Sequence, residues 1–312
     1  MTLNILYAGA AAGFAPYAEA VTRHLAAAGL SADIACDHAP ETVDYIICDP
    51  DGPITDFTPF TRTRAVLNLW AGVERLVANP TLTQPLARMV DPGLTQGMVE
   101  WVAGHVLRHH LGIDAQREAA AKGEWREDLV PPLAQERGVG ILGLGVLGTA
   151  VAGALRTLGF AVSGWSRRAK TLPGILCHHG SEGLATLLGS SEILVLLLPE
   201  TPATRAILNR ETLNALPAGA VVLNPGRGPL IDDAALLAAL DRGHIAHATL
   251  DVFCVEPLPQ DHPFWRHPGV TVTPHIASAT RQSTAARALA ENIAGVERGA
   301  PLAHAVDRGH GY

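Results

Sequence analysis

Three segments in the second half of the chain carry side chains suited to carboxylate binding and proton transfer. "LNPGRGPLID" sets Arg227 in a glycine-flanked loop after the apolar run "AVVLN". A planar guanidinium placed there can grip a carboxylate through two parallel hydrogen bonds. "LDVFCVEPLP" brings Asp251 and Glu256, and "VTVTPHIASAT" brings His275 at the end of the last strand-like run. An imidazole paired with a carboxylate favours its charged form and holds a proton ready near neutral pH. An anchor for an acid, a cation to polarise a carbonyl and a donor for a nascent alkoxide together suit the reduction of a 2-keto acid by hydride. His275 is then the general acid and Glu256 its orienting partner. The chain has 14 histidines, so the residue type alone carries little, and spacing does not by itself bring the two side chains together.

Hydride chemistry needs a carrier, and "GVGILGLGVLG" provides for one. Gly143-x-Gly145-x-x-Gly148 follows a strand-like run and opens a helix, the context that gives this fingerprint its meaning. Gly143 allows the tight turn, Gly145 lets the backbone approach a pyrophosphate, and Gly148 lets helix and strand pack closely. The phosphates then meet free amides at a helix N-terminus. At the end of the next strand an NAD site places Asp or Glu on the ribose 2′-hydroxyl. Here "AVSGWSRRAK" has Ser166 followed by Arg167 and Arg168. A carboxylate would repel the 2′-phosphate of NADP, whereas a serine can hydrogen-bond it and two arginines can neutralise it. The pattern points to NADPH, with NAD as the weaker cofactor.

The elements that would position these residues are legible in outline. A length of 312 residues predicts two domains. Strand-like runs "NILY", "ADIA", "YIIC" and "AVLNLW" alternate with helical segments, among them "YAEAVTRHLAAAG" closing on Gly29. A second series starts near Gly138: "GVGILG", a helix over 149–158, "FAVSGW", "EILVLLL", "AVVLN", a helix over 232–240, "ATLDV" and "VTVTP". Such alternation implies parallel strands with crossover helices. Between the series, "QGMVEWVAGHVLRHHLGIDAQREAA" has Met98, Val102 and Val106 at helical spacing, and a long helix there carries the chain across. A last helix over 279–297 returns it to the first domain. The fold class is α/β, with two Rossmann-like doubly wound parallel-sheet domains. Residues 1–97 and 285–312 form the substrate-binding domain, flavodoxin-like, and 98–284 the inserted NADP-binding domain.

Bulk composition narrows the function classes. Hydrophobic residues at 48% and charged residues at 17% are ordinary for a globular protein, and a net charge of −7 offers no broad basic surface for nucleic acid. No Lys or Arg precedes Arg23, so the charged start of a signal peptide is missing. "ILVLLL" is too short to cross a bilayer before Pro199. Cys36, Cys48, Cys177 and Cys254 lie far apart, which suits reduced thiols in a cytoplasm.

Taken together, "GLGVLG", "LLLPETPATRAILN", "LNPGRGPLIDDAALLAALDRGHIAHATLDVFCVEPLP" and "HPFWRHPGVTVTPHIAS" resemble the D-2-hydroxyacid dehydrogenases along essentially the whole chain. "GWSR", "PLPQDHPFWRHP" and the terminal "VDRGHGY" resemble the glyoxylate/hydroxypyruvate reductase A branch. The resemblance implies reduction of glyoxylate and hydroxypyruvate to glycolate and D-glycerate, with Arg227, Glu256 and His275 as the catalytic set. It also implies cofactor contacts from Gly143, Gly145, Val146, Leu147, Gly148, Ser166, Arg167, Arg168, Leu198, Pro199, Thr204, Pro225, Gly226 and Asp251. The family holds the substrate carboxylate through backbone amides of a glycine loop, which maps onto "LWAGVERL" and hence Ala71, Gly72 and Val73. Trp70 stands where many relatives have glycine, either narrowing substrate choice or packing behind the loop. Pro225-Gly226 replaces a more usual apolar-small pair. Relatives are homodimers, and "AAAKGEWRED" maps onto their dimer arm.

Other readings remain beside this one. His105 and His109 lie four apart on one helix face, but no third ligand accompanies them, so no metal is expected. Some proteins of this fold are dinucleotide-sensing corepressors that keep the same catalytic residues. A broader 2-ketoacid reductase, acting on phenylpyruvate or 2-ketogluconate, is the alternative among enzymes.

Overall fold

The computed structural model describes residues 2–309 and 311; His310 and Tyr312 of the closing "VDRGHGY" lie outside the described residues. The chain forms two compact units, Met1–Leu94 with Thr280–Tyr312, and Thr95–Ala279, so the second is inserted into the first. The divisions precede the expected 97/98 and 284/285, because periodicity locates a crossing helix without showing which of its turns belongs to which unit.

The first unit runs β1 (Thr2–Ala8), α1 (Phe14–Ala27), β2 (Ser31–Ala35), β3 (Tyr45–Cys48), β4 (Ala65–Asn68), α2 (Glu74–Val77) and β5 (Leu86–Ala87). Its parallel sheet has the order β2-β1-β3-β4-β5, the flavodoxin order. "YIIC" and "AVLN" are buried at every position, as strands of a doubly covered parallel sheet are. Two residues after α1, Gly29 turns the chain at φ +80°, the left-handed conformation that ends helices without a Cβ penalty.

α3 (Pro92–His110) then enters the second unit and buries Met98, Val102 and Val106 in its core. The single long helix expected here is two, because Gly112 breaks it at φ +64° before α4 (Ile113–Ala121). There follow β6 (Gly138–Leu142), α5 (Val146–Thr157), β7 (Ala161–Trp165), β8 (Leu176–His178), α6 (Gly180–Ser190), β9 (Ile193–Leu196) and α7 (Arg210–Asn214). β10 (Ala220–Asn224), α8 (Asp233–Asp241), β11 (Ile245–Leu250) and β12 (Val270–Val272) complete the unit. The strand order β12-β11-β10-β9-β6-β7-β8 is that of a dinucleotide-binding sheet extended by one strand. The order reverses between β6 and β9, where such sheets bind their ligands. α9 (Gln282–Glu297) returns to the first unit and packs on α1.

Several boundaries differ from the sequence reading. α5 starts at Val146 rather than 149, directly after Gly145, and α9 starts at Gln282 rather than 279. β8 has three residues, ending on His178, and β5 has two. Strands this short at a sheet edge leave no alternation to read. Among the described residues no helix is long and apolar enough to cross a membrane, and all four cysteines are free thiols.

Candidate active site

All elements of the candidate site in the second unit leave the carboxyl edge of one parallel sheet. After β6, Gly143 adopts φ +108°, and a Cβ there would lie 2.5 Å from the Leu197 carbonyl oxygen. At Gly148 a Cβ would lie 1.8 Å from the Gly143 oxygen, so the first turn of α5 packs against the loop only because this position is glycine. Gly145 differs: a Cβ would meet nothing within 4 Å. It stands as N-cap of α5 with no side chain capping the helix amides. This open, uncapped helix start fits a dinucleotide pyrophosphate, with the backbone from Gly145 through Val146, Leu147 and Gly148 to hold it.

The ribose end lies where β7 stops. Ser166 is buried, and its hydroxyl donates to the Arg168 carbonyl at 2.7 Å, closing a turn that leaves Arg167 and Arg168 exposed. Lys170 adds a cation unremarked in the sequence, its ammonium donating to the Leu144 carbonyl inside the glycine loop. No carboxylate stands at the Ser166 position, and three cations follow within four residues. That donor set fits a 2′-phosphate. After β9, Leu198 is buried and Thr204 ties its loop through a 2.7 Å hydrogen bond to the Pro199 carbonyl.

Arg227 is positioned by its own loop. Asn224, at the end of β10 and 1% exposed, accepts from the Gly226 amide at 3.1 Å and donates to the Arg227 carbonyl at 2.9 Å. The Arg227 guanidinium donates to the Gly226 carbonyl at 2.7 Å. Pro225 and Gly226 thus form a turn clamped by Asn224. Sequence reading missed Asn224; a polar residue ending an otherwise apolar strand was its signal.

His275 meets Glu256: Nδ1 lies 2.7 Å from Oε2, and the other carboxylate oxygen accepts from the Phe253 amide at 2.8 Å. Two donors therefore fix the Glu256 carboxylate, and it in turn fixes the imidazole. The His275 backbone sits at φ +54°, a region histidine visits more readily than most residues and one common at functional sites. Asp251, fully buried after β11, holds that turn. Its carboxylate accepts from Thr273 Oγ1 at 2.5 Å and from the amides of Ile276 at 3.0 Å and Ala277 at 2.8 Å. Its oxygens are directed to the 273–277 segment, which makes Asp251 a positioning residue.

The electrostatics follow from these contacts. The hydrogen bond to Glu256 raises the His275 pKa above its usual 6.5, against burial and the nearby Arg227 charge. Burial disfavours the Glu256 carboxylate, but the His275 and Phe253 hydrogen bonds and the Arg227 charge leave its pKa below the ordinary 4.5. The pairing therefore favours the charged, proton-donating imidazole and leaves Nε2 outside it.

The loop Trp70–Val73 belongs to the first unit. Asn68 donates to the carbonyls of Trp70 at 2.8 Å and Gly72 at 2.6 Å, and the Met89 amide donates to Trp70 at 3.0 Å. With its carbonyls tied back, the loop leaves the Ala71, Gly72 and Val73 amides without a hydrogen-bond acceptor among the described residues. Successive amides of this kind suit an anion. Trp70 is 43% exposed, so its ring is no core residue.

His105 and His109 are drawn into packing. The His109 ring lies 4.9 Å from that of His247 with its Nε2 3.1 Å from Thr249 Oγ1, and the His105 ring packs at a tilt against Trp101 with centroids 4.4 Å apart. Burial pushes His109 down to about 3 and His247 to about 4. No group of three candidate ligands able to hold a metal occurs among the described residues.

Comparison with known proteins agrees with this geometry. The family model described as D-isomer specific 2-hydroxyacid dehydrogenase, NAD binding domain, matches residues 103–277. Glyoxylate/hydroxypyruvate reductase A of Salmonella typhi is 42% identical over 258 residues, covering 80% of this chain and 82% of that protein. The crystal structure of a D-isomer specific 2-hydroxyacid dehydrogenase from Xanthobacter autotrophicus Py2, in complex with NADPH and MES, superposes with a TM-score of 0.93. It is 42% identical and covers 100% of both chains. The NADPH-dependent glyoxylate/hydroxypyruvate reductase from Sinorhizobium meliloti, in complex with NADP and sulfate, gives 0.82 at 36% identity, covering 99% of this chain and 100% of that one. The sheet order, the glycine loop and these likenesses agree: the chain belongs to the D-isomer specific 2-hydroxyacid dehydrogenases, in their glyoxylate/hydroxypyruvate reductase A branch.

Proposed function

We propose that the chain reduces glyoxylate to glycolate and hydroxypyruvate to D-glycerate with NADPH, NADH being the weaker donor. The 2.7 Å His275–Glu256 pair, with Arg227 close enough for its charge to act on both, carries the reading. When bound, the reduced dinucleotide supplies a hydride to the carbonyl carbon. Arg227 binds and polarises the keto acid through its guanidinium. His275 delivers a proton from Nε2 to the oxygen as it becomes an alkoxide, then regains one from solvent, its side chain being 51% exposed. Glu256 orients the ring and stabilises its charge. The amides of Ala71, Gly72 and Val73 take the substrate carboxylate, and Trp70 limits the substrate's size. Arg167 and Arg168 take the 2′-phosphate on the turn that Ser166 closes, with Leu198, Pro199 and Thr204 shaping the cofactor's path.

The free cysteines agree with a cytoplasmic protein. The segment 122–133 leaves Trp125 89%, Val130 78% and Leu133 65% exposed, and an arm that presents large apolar side chains in this way suits their burial against a second copy in a homodimer. Mixing purified protein with NADPH and, in turn, glyoxylate, hydroxypyruvate, pyruvate and phenylpyruvate tests the function, with nicotinamide absorbance as readout. Rapid oxidation with the first two is expected. A preference for phenylpyruvate would make it the broader reductase, and no oxidation with any would leave a dinucleotide-binding protein. A monomer in sedimentation equilibrium would overturn the dimer.

A further inference from the structure

The first unit holds an open cavity of about 180 Å³, lined by residues at the carboxyl ends of β4 and β5, by α9 and by the tail at Ala303 and His304. Arg88 lies in its wall, half-buried, and among the described residues no hydrogen bond or ion pair engages its guanidinium. Burial alone acts on it, pushing its pKa down. A guanidinium withdrawn from water without a carboxylate is costly, and the remaining lining does not offset that cost. The one carboxylate in the lining, Glu291, is bound to Arg287 on its own helix at 2.7 Å. Asn292 is occupied as well, both donating to and accepting from the Ala303 backbone at 3.0 Å, which fixes the tail. His304 stands beside the cation, and burial and the Arg88 charge lower its pKa. It therefore presents a neutral ring with one N–H to donate.

We propose that Arg88 and His304 form a binding site in the first unit for a small oxyanion, a short carboxylate or inorganic phosphate. A fork of guanidinium donors supplies two parallel bonds to such a group, and the imidazole supplies a third. The site communicates with the loop at Trp70–Val73. Met89, next to Arg88, and Asn68, also in the lining, both donate to the Trp70 carbonyl. An occupant that pulls on Arg88 shifts that loop and so the Michaelis constant of the keto acid. This kinetic effect rests on assigning the loop to the substrate; the binding itself does not.

Isothermal titration of the NADPH-loaded enzyme with sodium phosphate and, separately, with succinate tests the site at fixed ionic strength. The wild type is expected to bind at least one of the two, and which gives heat distinguishes phosphate from carboxylate. Arg88→Gln should weaken that binding at least tenfold while keeping kcat within twofold in anion-free buffer. His304→Gly, which suits the φ of +54° at that position, should weaken it severalfold and decides the matter if Arg88→Gln does not fold. Arg227→Gln should leave it unchanged. Undiminished heat in Arg88→Gln, no heat in the wild type, or a loss confined to Arg227→Gln would each overturn the site. None of these outcomes bears on whether glyoxylate is reduced, which the absorbance assay decides separately.

Discussion

The His275 imidazole donates to Glu256 at 2.7 Å from a backbone held at φ +54°, so one carboxylate sets both the direction and the charge of the proton donor. Because that contact raises the His275 pKa above 6.5, reduction should fall as pH rises through that raised value rather than at the pKa of a free imidazole. Glu256→Gln removes the largest raising contact and should move the alkaline limb of kcat/KM down towards 6.5, so that the variant loses rate relative to wild type on the alkaline side. His275→Ala should cost about 10² to 10⁴ in kcat, with NADPH affinity nearly intact. An alkaline limb that stays in place in Glu256→Gln would remove Glu256 from this role.

The same pair predicts a pH window for stability. The imidazole's contribution is complete below its unfolded pKa near 6.5 and is lost as pH rises through the raised folded value. The carboxylate's contribution is present above its unfolded 4.5 and is lost as pH falls through the lowered one. The stability difference between wild type and Glu256→Gln should therefore peak between about 4.5 and 6.5 in urea titrations. Solvent around the half-exposed ring keeps it to about 1 kcal/mol or less. A difference that is flat with pH would show that the pair is not linked to folding.

Asn224 should behave as a positioning residue for Arg227. Asn224→Ala leaves the Gly226 amide and the Arg227 carbonyl without their buried partner, costing about 1–3 kcal/mol of stability. A freed guanidinium should raise KM for the keto acid about tenfold with a smaller change in kcat. Asn224→Asp keeps the acceptor for Gly226 but not the donor for Arg227, and should recover part of the stability and less of the KM. Equal recovery of both would mean that Asn224 acts on the fold alone.

The two sheets, the insertion and the glycine loop were legible because parallel strands leave continuous apolar runs and left-handed turns leave glycines. The partnership of His275 with Glu256 was an expectation that spacing alone did not establish; the turn held by Asp251 brings them into contact. Asn224 and Lys170 went unread because each acts through a backbone carbonyl, and such a contact leaves no pattern in side-chain types. β5 and β8 went unread because two or three residues at a sheet edge show no period. The helix break at Gly112 went unread because a single glycine inside a helical pattern can be tolerated as well as end the helix.

Cofactor choice is testable at the end of β7. Ser166→Asp puts a carboxylate where a 2′-phosphate would lie, and repulsion together with the loss of the turn that holds Arg168 should weaken NADPH by about a hundredfold while sparing or improving NADH. Arg168→Ala should raise KM for NADPH about tenfold and leave NADH within twofold. Equal losses with both cofactors would assign the arginines to another task. Dissociation constants from fluorescence titration, alongside steady-state kinetics, separate binding from turnover.

Gly145 and Gly148 should fail in opposite ways when each gains a methyl group. At Gly148 the added Cβ would lie 1.8 Å from the Gly143 oxygen, so Gly148→Ala must push α5 off β6 and should destabilise the unit by about 1–3 kcal/mol. At Gly145 the backbone is at φ −71°, ψ −161°, open to any residue, and the Cβ meets nothing within 4 Å. Gly145→Ala should therefore unfold at the wild-type urea midpoint, yet its methyl occupies the space through which a pyrophosphate reaches the helix amides. NADPH affinity should fall at least tenfold with the fold unchanged. If Gly145→Ala binds NADPH as wild type does, the phosphates do not approach the chain there, and the uncapped start of α5 has lost its function.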